Sequence, residues 1–257
     1  ACRTPRGIGK KEKGALAHLH PQHLGATVLK GLAERNALNT AEVDDVIFGT
    51  SSQRGTQGGD IARMSALYAG YDPVCSGVTL DRFCGSGITA VSMAANSILA
   101  GQEDLLIAGG CEMMSTYDED LGPQPFIDSG NLELRKMYPQ PHQGVCADVI
   151  ATLEGIDRNA VDSLAVVSQQ RANNAIKNGY FDRSLVPVNN IDGSLALDHE
   201  EFPRPQTTME TLANLNPAFE RMIDYPLDEA GTTYGNEVRR AYPDLVIDHV
   251  HHAGNSS

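Results

Sequence analysis

The chain has 257 residues, of which 41% are hydrophobic and 21% are charged, a composition typical of a globular protein with a sizeable core. Lys and Arg number 20 against 33 Asp and Glu, and the net charge of −13 argues against nucleic acid or an anionic membrane surface as the main partner. The five cysteines form no Cys-x-x-Cys pair, which indicates reduced thiols in a reducing compartment, and we expect a cytoplasmic protein.

Hydrophobic patterning predicts that helices and short buried strands alternate in the first part of the chain. The predicted elements, in chain order, are a helix over 22–36, a strand over 46–49, a helix over 60–69, and strands over 77–80 and 105–108. Asp60 is placed to cap the second helix and Gly70 to end it. This alternation is typical of an α/β fold with a parallel or mixed sheet.

Residues 83–102 carry no charge and form a segment long enough to span a bilayer. Polar side chains interrupt this segment at Ser86, Thr89, Ser92, Asn96, Ser97 and Gln102. An uncharged helix rich in Gly, Ala and Ser fits better between two layers of a large core. The sequence therefore predicts a buried helix here and no membrane span.

The second half of the chain has a less regular pattern. Residues 116–143 contain four prolines and no clear periodicity, which predicts a long functional loop. The further predicted elements are helices over 144–154 and 157–178, an edge strand over 186–188, and polar, turn-rich chain over 190–245. The predicted organisation is an α/β core over 1–115, a loop domain with returning core helices over 116–245, and a return to the core over 246–257.

The most informative residue is Cys84, which the pattern places between a strand and the start of the uncharged helix. A helix N-terminus carries unpaired N–H groups and a partial positive charge, and both stabilise a thiolate. Gly85 and Gly87 leave the approach to the sulfur open, and the backbone N–H of Cys84 is placed to hold a developing oxyanion. The segment therefore suggests a nucleophile that attacks a thioester.

Two other interpretations of this segment stay open. Free cysteines are among the most buried residue types, so a structural role for Cys84 competes with the nucleophile. The spacing Gly85-x-Gly87-x-x-Ala90 also matches a dinucleotide-binding fingerprint, which would make the protein an NAD-dependent dehydrogenase. Against that reading, Asp104 precedes the next strand, whereas the acid of that fingerprint follows its strand.

An ordered series of short motifs runs along nearly the whole chain. The two most specific are Arg82-Phe83-Cys84-Gly85-Ser86-Gly87 and Ala108-Gly109-Gly110-Cys111-Glu112-Met113-Met114-Ser115. The others are Arg3-Thr4-Pro5, the segments 43–49 and 58–63, Leu215-Asn216-Pro217-Ala218-Phe219 and Ala253-Gly254-Asn255-Ser256-Ser257. In this order they resemble the thiolase family of coenzyme A-dependent acyltransferases, whose nucleophile motif is similar to the segment around Cys84.

The resemblance implies a layered αβαβα thiolase-like fold with a mixed sheet and a buried central helix, of which this chain supplies mainly the N-terminal half. It implies an enzyme that cleaves or forms 3-ketoacyl-CoA through an acyl intermediate on Cys84. Coenzyme A and acyl-CoA are then substrates, and no cofactor is tightly bound. The resemblance also implies a role in fatty acid metabolism and a homodimer or homotetramer.

Substrate contacts follow from the same resemblance. His142 and Gln143 align with a His-Met segment near the thioester, and the departure of Gln143 from Met leaves the acyl specificity open. Ala253 and Ser257 align with a turn that hydrogen-bonds pantetheine. Asn216 stands where biosynthetic members of the family have an Arg against the adenine, so binding of the nucleotide end is expected to use other residues.

Three further motifs of the family have no match in this sequence: Gly-His-Pro, Cys-x-Gly-Gly-Gly and Asn-Glu-x-x-Ala. In the family they supply the activating His, a second catalytic Cys and an oxyanion site. We therefore expect the chain to be a fragment or the visible part of a longer one, and to be inactive by itself. A non-catalytic subunit that binds coenzyme A is the alternative within the same fold.

The remaining candidate residues are expected to have structural roles. Neither histidine cluster has a Cys or carboxylate partner at metal-site spacing, so no metal site is predicted. The clusters are His18, His20 and His23, and His249, His251 and His252. Cys111 and Cys146 are expected to pack in the interior. Asp118, Glu119 and Asp120 are expected to be solvated loop charge.

Overall fold

The computed structural model describes residues 1–11, 13–116 and 127–256. Its backbone divides into two compact units. The first unit comprises Ala1–Pro123 with Gly179–Phe202, and the second comprises Gln124–Asn178 with Pro203–Ser257. The predicted charges Asp118, Glu119 and Asp120 and the predicted contact residue Ser257 lie outside the described residues.

The first unit is built on a parallel sheet. Its elements, in chain order, are α1 (Pro21–Asn36), β1 (Asp45–Gly49), α2 (Ile61–Tyr68), β2 (Ser76–Leu80), α3 (Ser86–Leu99) and β3 (Leu106–Gly110). The strands are arranged β2-β1-β3, and both pairs are parallel. The predicted α/β fold is confirmed. Over the described residues this sheet is parallel throughout rather than mixed, because each strand returns to the sheet through a helix.

Alternate side chains of β1 face opposite sides of the sheet and begin two separate cores. Val46 and Phe48 are buried in a cluster with Leu29 of α1 and with side chains of α2. Ile47 faces the other side and packs with Ala90 of α3. Asp60 accepts a hydrogen bond from the Arg63 N–H and caps α2, as predicted.

Within this chain the sheet covers α3 on one side only, and burial of this helix between two layers stays a prediction. Its buried residues are Ser86, Ala90 and Ala94, which are spaced four apart and face the sheet. Ile88 and Leu99 remain 78% and 84% exposed, because the sheet supplies a single apolar layer. No helix within the described ranges combines the length and apolarity needed to cross a bilayer.

A small antiparallel pair completes the first unit. The strands β4 (Val188–Asn189) and β5 (Leu195–Leu197) pair with each other, and Val188 packs against Leu16 and Leu19. The predicted edge strand over 186–188 is therefore displaced toward 188–189. The Val186 N–H instead donates to the Arg3 carbonyl, which attaches the start of the chain to this region.

The second unit is helical. Its elements are α4 (Leu132–Met137), α5 (Gln143–Glu154), α6 (Arg158–Lys177), α7 (Met209–Ala213) and α8 (Tyr234–Ala241). The helices α5 and α6 were predicted, and Asp157 caps α6 through the Ala160 N–H. Tyr234 and Val238 of α8 pack against Val145 and Val149 of α5.

Two segments predicted to lack regular structure contain helices. The predicted long loop 116–143 includes α4, where the buried Arg135 donates to both carboxylate oxygens of Asp128 at 2.6 and 2.9 Å. The predicted turn-rich segment 190–245 includes β5, α7 and α8. These elements are too short to give a clear periodic signal, and contacts with the rest of the unit stabilise them.

Candidate active site

Cys84 is exposed on the turn that joins β2 to α3. The residue before it, Phe83, has φ of 49°. This left-handed backbone is unfavourable for a side chain other than glycine and persists only where the surroundings hold it. The strand-to-helix turn predicted from the sequence is therefore present, and it is tightly specified.

The hydroxyl of Ser86 holds this turn from inside. Its Oγ donates to the Phe83 carbonyl at 2.6 Å and accepts from the Arg82 N–H at 2.9 Å. The Asp81 carboxylate accepts from the Phe83 N–H at 2.7 Å. Ser86 is 4% exposed, whereas Arg82 and Phe83 are exposed, so both of these bonds are partly buried.

Two glycines let the sheet approach this turn closely. A Cβ on Gly49 at the end of β1 would lie 2.6 Å from the backbone carbonyl carbon of Ser86. A Cβ on Gly110 would collide with the carbonyl of Gly49. Both positions therefore need glycine for backbone proximity, which explains these small residues in the family-like motifs.

The accessibility of the thiols separates Cys84 from the interior cysteines. Burial raises the pKa of Cys75 and Cys146, and it raises the pKa of Cys111 to about 12. These three thiols stay protonated at neutral pH and are poor nucleophiles. Cys2 is partly exposed, whereas Cys84 is exposed. Cys111 and Cys146 are half-buried, so the prediction that they pack in the interior holds only in part.

Glu112 organises the same edge of the sheet. Its carboxylate accepts from the Ser51 N–H at 2.6 Å and from the Gln57 side chain at 3.1 Å. Gln57 is 2% exposed, and its side-chain carbonyl accepts from the Met113 N–H. The sequence indicated Glu112 only as part of a motif, and its partners after β1 became visible in the fold.

In the second unit, His142 caps α5 within an aromatic surrounding. Its Nδ1 accepts from the Gly144 N–H at 3.0 Å, and its ring centroid lies 5.7 Å from Phe219 and 6.0 Å from Tyr234. Burial lowers the pKa of His142, so its imidazole is neutral at pH 7. With Nδ1 accepting, the proton of the neutral ring is assigned to Nε2. Gln143 beside it is exposed.

Ala253 lies in a turn that two buried carboxylates fix. Asp148 of α5 accepts from the Nδ1 atoms of His249 and His251 at 2.9 and 2.7 Å. Asp162 of α6 accepts from His252 Nε2 and Asn255, both at 2.7 Å. The sequence analysis missed these carboxylates, which precede their partners by 90 to 103 residues. Their position six and five residues after the caps His142 and Asp157 was the available signal.

The two aspartates explain one histidine cluster as structural. Burial by itself raises the pKa of Asp162, but hydrogen bonds from Asn255, Arg158 and His252 together hold it below its ordinary value. In the other cluster His18 pairs with Asn190 and His23 with Tyr68. Among the described residues no group of three or more His, Cys, Asp or Glu is arranged to hold a metal ion.

The predicted site residues thus fall in different parts of the chain. Cys84 belongs to the first unit, whereas His142, Gln143 and Ala253 belong to the second. Within the second unit, α5 carries both the His142 cap and Asp148, so one helix supports two of the predicted contact segments. Asn216 is exposed in the same unit.

Comparison with known proteins decides the family. The family model described as "Thiolase, N-terminal domain" matches residues 1–222. The chain belongs to the thiolase family. The match includes Cys84, His142 and Gln143 of this thiolase and ends before the turn that contains Ala253.

The curated relatives of this thiolase chain are named as an acetyltransferase or as thiolases. It is 36% identical over 221 residues to an acetyl-CoA acetyltransferase of Thiocystis violacea, covering 81% of this chain and 56% of that protein. It is 37% identical over 233 residues to a beta-ketoadipyl-CoA thiolase of Acinetobacter baylyi, covering 84% and 57%. It is 35% identical over 222 residues to a 3-ketoacyl-CoA thiolase of Aliivibrio fischeri, covering 85% and 56%. The chain therefore spans little more than half the length of these relatives.

Proposed function

We propose that this chain carries the nucleophile of a coenzyme A-dependent acyltransferase that cleaves or forms 3-ketoacyl-CoA. The observation that carries the proposal is Cys84, an exposed thiol on a tightly held strand-to-helix turn. Cys75 is buried and Cys111 and Cys146 are half-buried, and the raised pKa of each of these thiols makes it unsuited to this role. Relatives named as acetyl-CoA acetyltransferase and 3-ketoacyl-CoA thiolase support the reaction class.

In the cleavage direction the Cys84 thiolate adds to the 3-keto carbon of the substrate. The C2–C3 bond then breaks, and its electron pair leaves as the enolate of acetyl-CoA, which takes up a proton. The acyl group remains on the sulfur as a thioester until the thiolate of free coenzyme A displaces it. The covalent intermediate divides one difficult acyl transfer into two easier ones. The synthetic direction reverses these steps.

The second unit is proposed to bind the substrate. His142, Gln143, Ala253 and Ser257 are assigned to acyl-CoA contacts. His142 suits this role because its neutral ring has Nδ1 engaged with Gly144 and retains an Nε2–H donor for a carbonyl oxygen. Coenzyme A and acyl-CoA act as substrates, with no tightly bound cofactor.

The proton transfers are proposed to use residues outside this sequence. The Gly-His-Pro, Cys-x-Gly-Gly-Gly and Asn-Glu-x-x-Ala motifs of the family do not occur in residues 1–257. We propose that these groups come from further polypeptide, and that the assembled enzyme is a homo-oligomer of the cytoplasm that acts in fatty acid metabolism.

Acyl transfer to the sulfur tests the proposal directly. The chain is incubated with acetoacetyl-CoA, and its peptides are then analysed by mass spectrometry. We expect an acetyl group on the peptide that contains Cys84, lost in Cys84→Ala and retained in Cys146→Ala. A different result would indicate a non-catalytic subunit: the protein binds coenzyme A but forms no adduct, even when it is tested together with polypeptide that contains the three missing motifs.

A further inference from the structure

We infer that Ser86 is a positioning residue that holds Cys84 in its reactive place through the backbone on either side of Phe83. The inference rests on the proposed function, because it gives Ser86 a role in presenting the nucleophile. Ser86 itself touches no reacting atom in this account.

The first observation is that one side chain satisfies two backbone groups of the turn. The Oγ of Ser86 donates to the carbonyl of Phe83 at 2.6 Å and accepts from the N–H of Arg82 at 2.9 Å. A hydroxyl is able to donate and accept at the same time, and it is short enough to reach both groups from the same helix turn. The two bonds therefore link the end of β2 to the start of α3 across Cys84.

The second observation is the conformation that these bonds maintain. Phe83 has φ of 49°, and its side chain is 61% exposed, so packing of the ring contributes little to holding the backbone there. The polar contacts of the turn are then the main restraint, from Ser86 on one side and from Asp81 on the other. Without the hydroxyl, the Phe83 carbonyl keeps only the bond from the Ser86 N–H at 3.1 Å, and the Arg82 N–H loses its bond to Oγ. The turn is then less restrained against relaxing to a more favourable φ, and the neighbouring Cys84 moves with it.

The third observation is that the sheet fixes Ser86 in turn. The backbone of Gly49 leaves no room for a Cβ, which would lie 2.6 Å from the Ser86 carbonyl carbon and 2.7 Å from its Cβ. Ser86 is 4% exposed. The strand β1 therefore fixes the position of Ser86, and the hydroxyl of Ser86 in turn restrains the turn that carries Cys84.

Site-resolved alkylation measures this role. The chain is labelled with iodoacetamide under native conditions, and the rates at Cys84 and Cys2 are followed separately by peptide mass spectrometry. We expect Ser86→Ala to reduce the rate at Cys84 about tenfold, the scale set by the net free energy of the hydrogen bonds that the hydroxyl makes. The rate at Cys2 should stay within about twofold, and Ser86→Thr, which keeps the hydroxyl, should recover most of the Cys84 rate.

A second variant keeps the test decisive if Ser86→Ala fails to fold. Gly49→Ala retains the hydroxyl but displaces Ser86, and it should also slow labelling of Cys84. Ser92→Ala is the matched control, since it removes the hydroxyl of an exposed serine in the same helix. Unchanged Cys84 labelling in folded Ser86→Ala, or in Gly49→Ala where the first variant is unfolded, overturns the inference. If folded Ser86→Thr loses as much of the Cys84 labelling rate as Ser86→Ala does, the role of the hydroxyl is overturned.

The same proteins separate this inference from the proposed function. In one outcome, Cys84 labelling depends on Ser86, but acetoacetyl-CoA gives no adduct on Cys84 even in a longer protein that contains the three missing motifs. The positioning role of Ser86 then stands, and the proposal of acyl transfer fails. If the adduct forms equally in wild type and Ser86→Ala, acyl transfer stands and the positioning role fails.

Discussion

At the residue scale, the carboxyl edge of the sheet depends on backbone proximity rather than on side-chain packing. Gly49 lies against the first residue of α3, and Gly110 lies against the carbonyl of Gly49. Such contacts are intolerant of even one added methyl group, because neighbouring backbone atoms cannot rotate away as a side chain can.

Alanine substitutions at two glycines should therefore have opposite effects on stability. Gly49→Ala is expected to lower the free energy of unfolding by about 2 kcal/mol, since its Cβ meets the backbone of Ser86. Gly87→Ala, in the open first turn of α3, should raise it by about 0.5 kcal/mol through helix propensity. Urea unfolding of both variants measures the difference, and equal midpoints would contradict it.

The capping histidine His142 predicts a pH dependence of stability. Burial lowers its pKa in the folded chain, whereas the unfolded chain titrates near about 6.5. As the pH falls through that value, the unfolded chain binds a proton first, so stability decreases toward acid. His142→Asn keeps a capping side chain and should lose less stability between pH 7.5 and 5.5 than wild type. His199→Asn, at an exposed histidine, is the control for urea unfolding at the two pH values.

At the element scale, α3 combines a precise inner face with an open outer face. Ala90 is completely buried against β1, and Ile88 is 78% exposed only two residues earlier. Small residues on the inner face bring the helix close to the sheet and place its first turn at Gly49.

Enlarging the inner face should therefore cost stability, and changing the outer face should not. Ala90→Leu is expected to reduce the free energy of unfolding by about 1–3 kcal/mol through overpacking. Ile88→Gln is expected to change it by less than about 0.5 kcal/mol, because that side chain is already in water. Chemical unfolding of the two variants tests the orientation of α3, and a larger loss in Ile88→Gln would show that the helix faces are exchanged.

The element α4 depends on a buried ion pair. Arg135 and Asp128 are 5% and 6% exposed and form two hydrogen bonds, and the guanidinium holds the pKa of Asp128 below its ordinary value. Asp128→Asn should cost about 3 kcal/mol, since it leaves the Arg135 charge with one buried partner fewer. Lys136→Ala, which removes an exposed pair with Glu133, should cost less than about 1 kcal/mol. Denaturant unfolding compares the two variants. Similar small losses in the free energy of unfolding would argue that the buried ion pair does not stabilise this region.

The contribution of the Asp128 carboxylate has a defined pH window. Because its pKa is lower in the folded chain, the stabilisation is present above the ordinary carboxyl pKa of about 3.9. It is lost as the pH falls through the folded value. The difference in free energy of unfolding between wild type and Asp128→Asn should therefore become smaller as the pH is lowered, and denaturant unfolding at several acidic pH values measures it.

At the scale of the whole molecule, catalysis is divided between chemistry the chain carries and chemistry it lacks. Cys84 is the proposed nucleophile, but the proton-transferring motifs of the family do not occur in residues 1–257. Acylation and turnover are therefore expected to separate in this protein.

Turnover should be absent even where acylation occurs. We expect acetylation of Cys84 to be slow and sustained turnover to be absent, because the chain carries neither the family's activating His nor its group for proton transfer at the substrate α carbon. A continuous assay of acetoacetyl-CoA consumption with free coenzyme A present as the acyl acceptor, run beside the mass spectrometry, distinguishes one event from many. Sustained turnover by a protein that ends at residue 257 would contradict this expectation.

The sequence by itself determined the α/β class, the strand-to-helix turn at Cys84, the caps at Asp60 and Asp157, and the family. Those features are encoded locally, in hydrophobic period, capping residues and ordered motifs. The tertiary structure decided the exposed face of α3, the proximity of Gly49 to Ser86, and the clamp of Asp148 and Asp162 on the 249–256 turn. These depend on contacts between residues far apart in the chain, which local patterns do not specify.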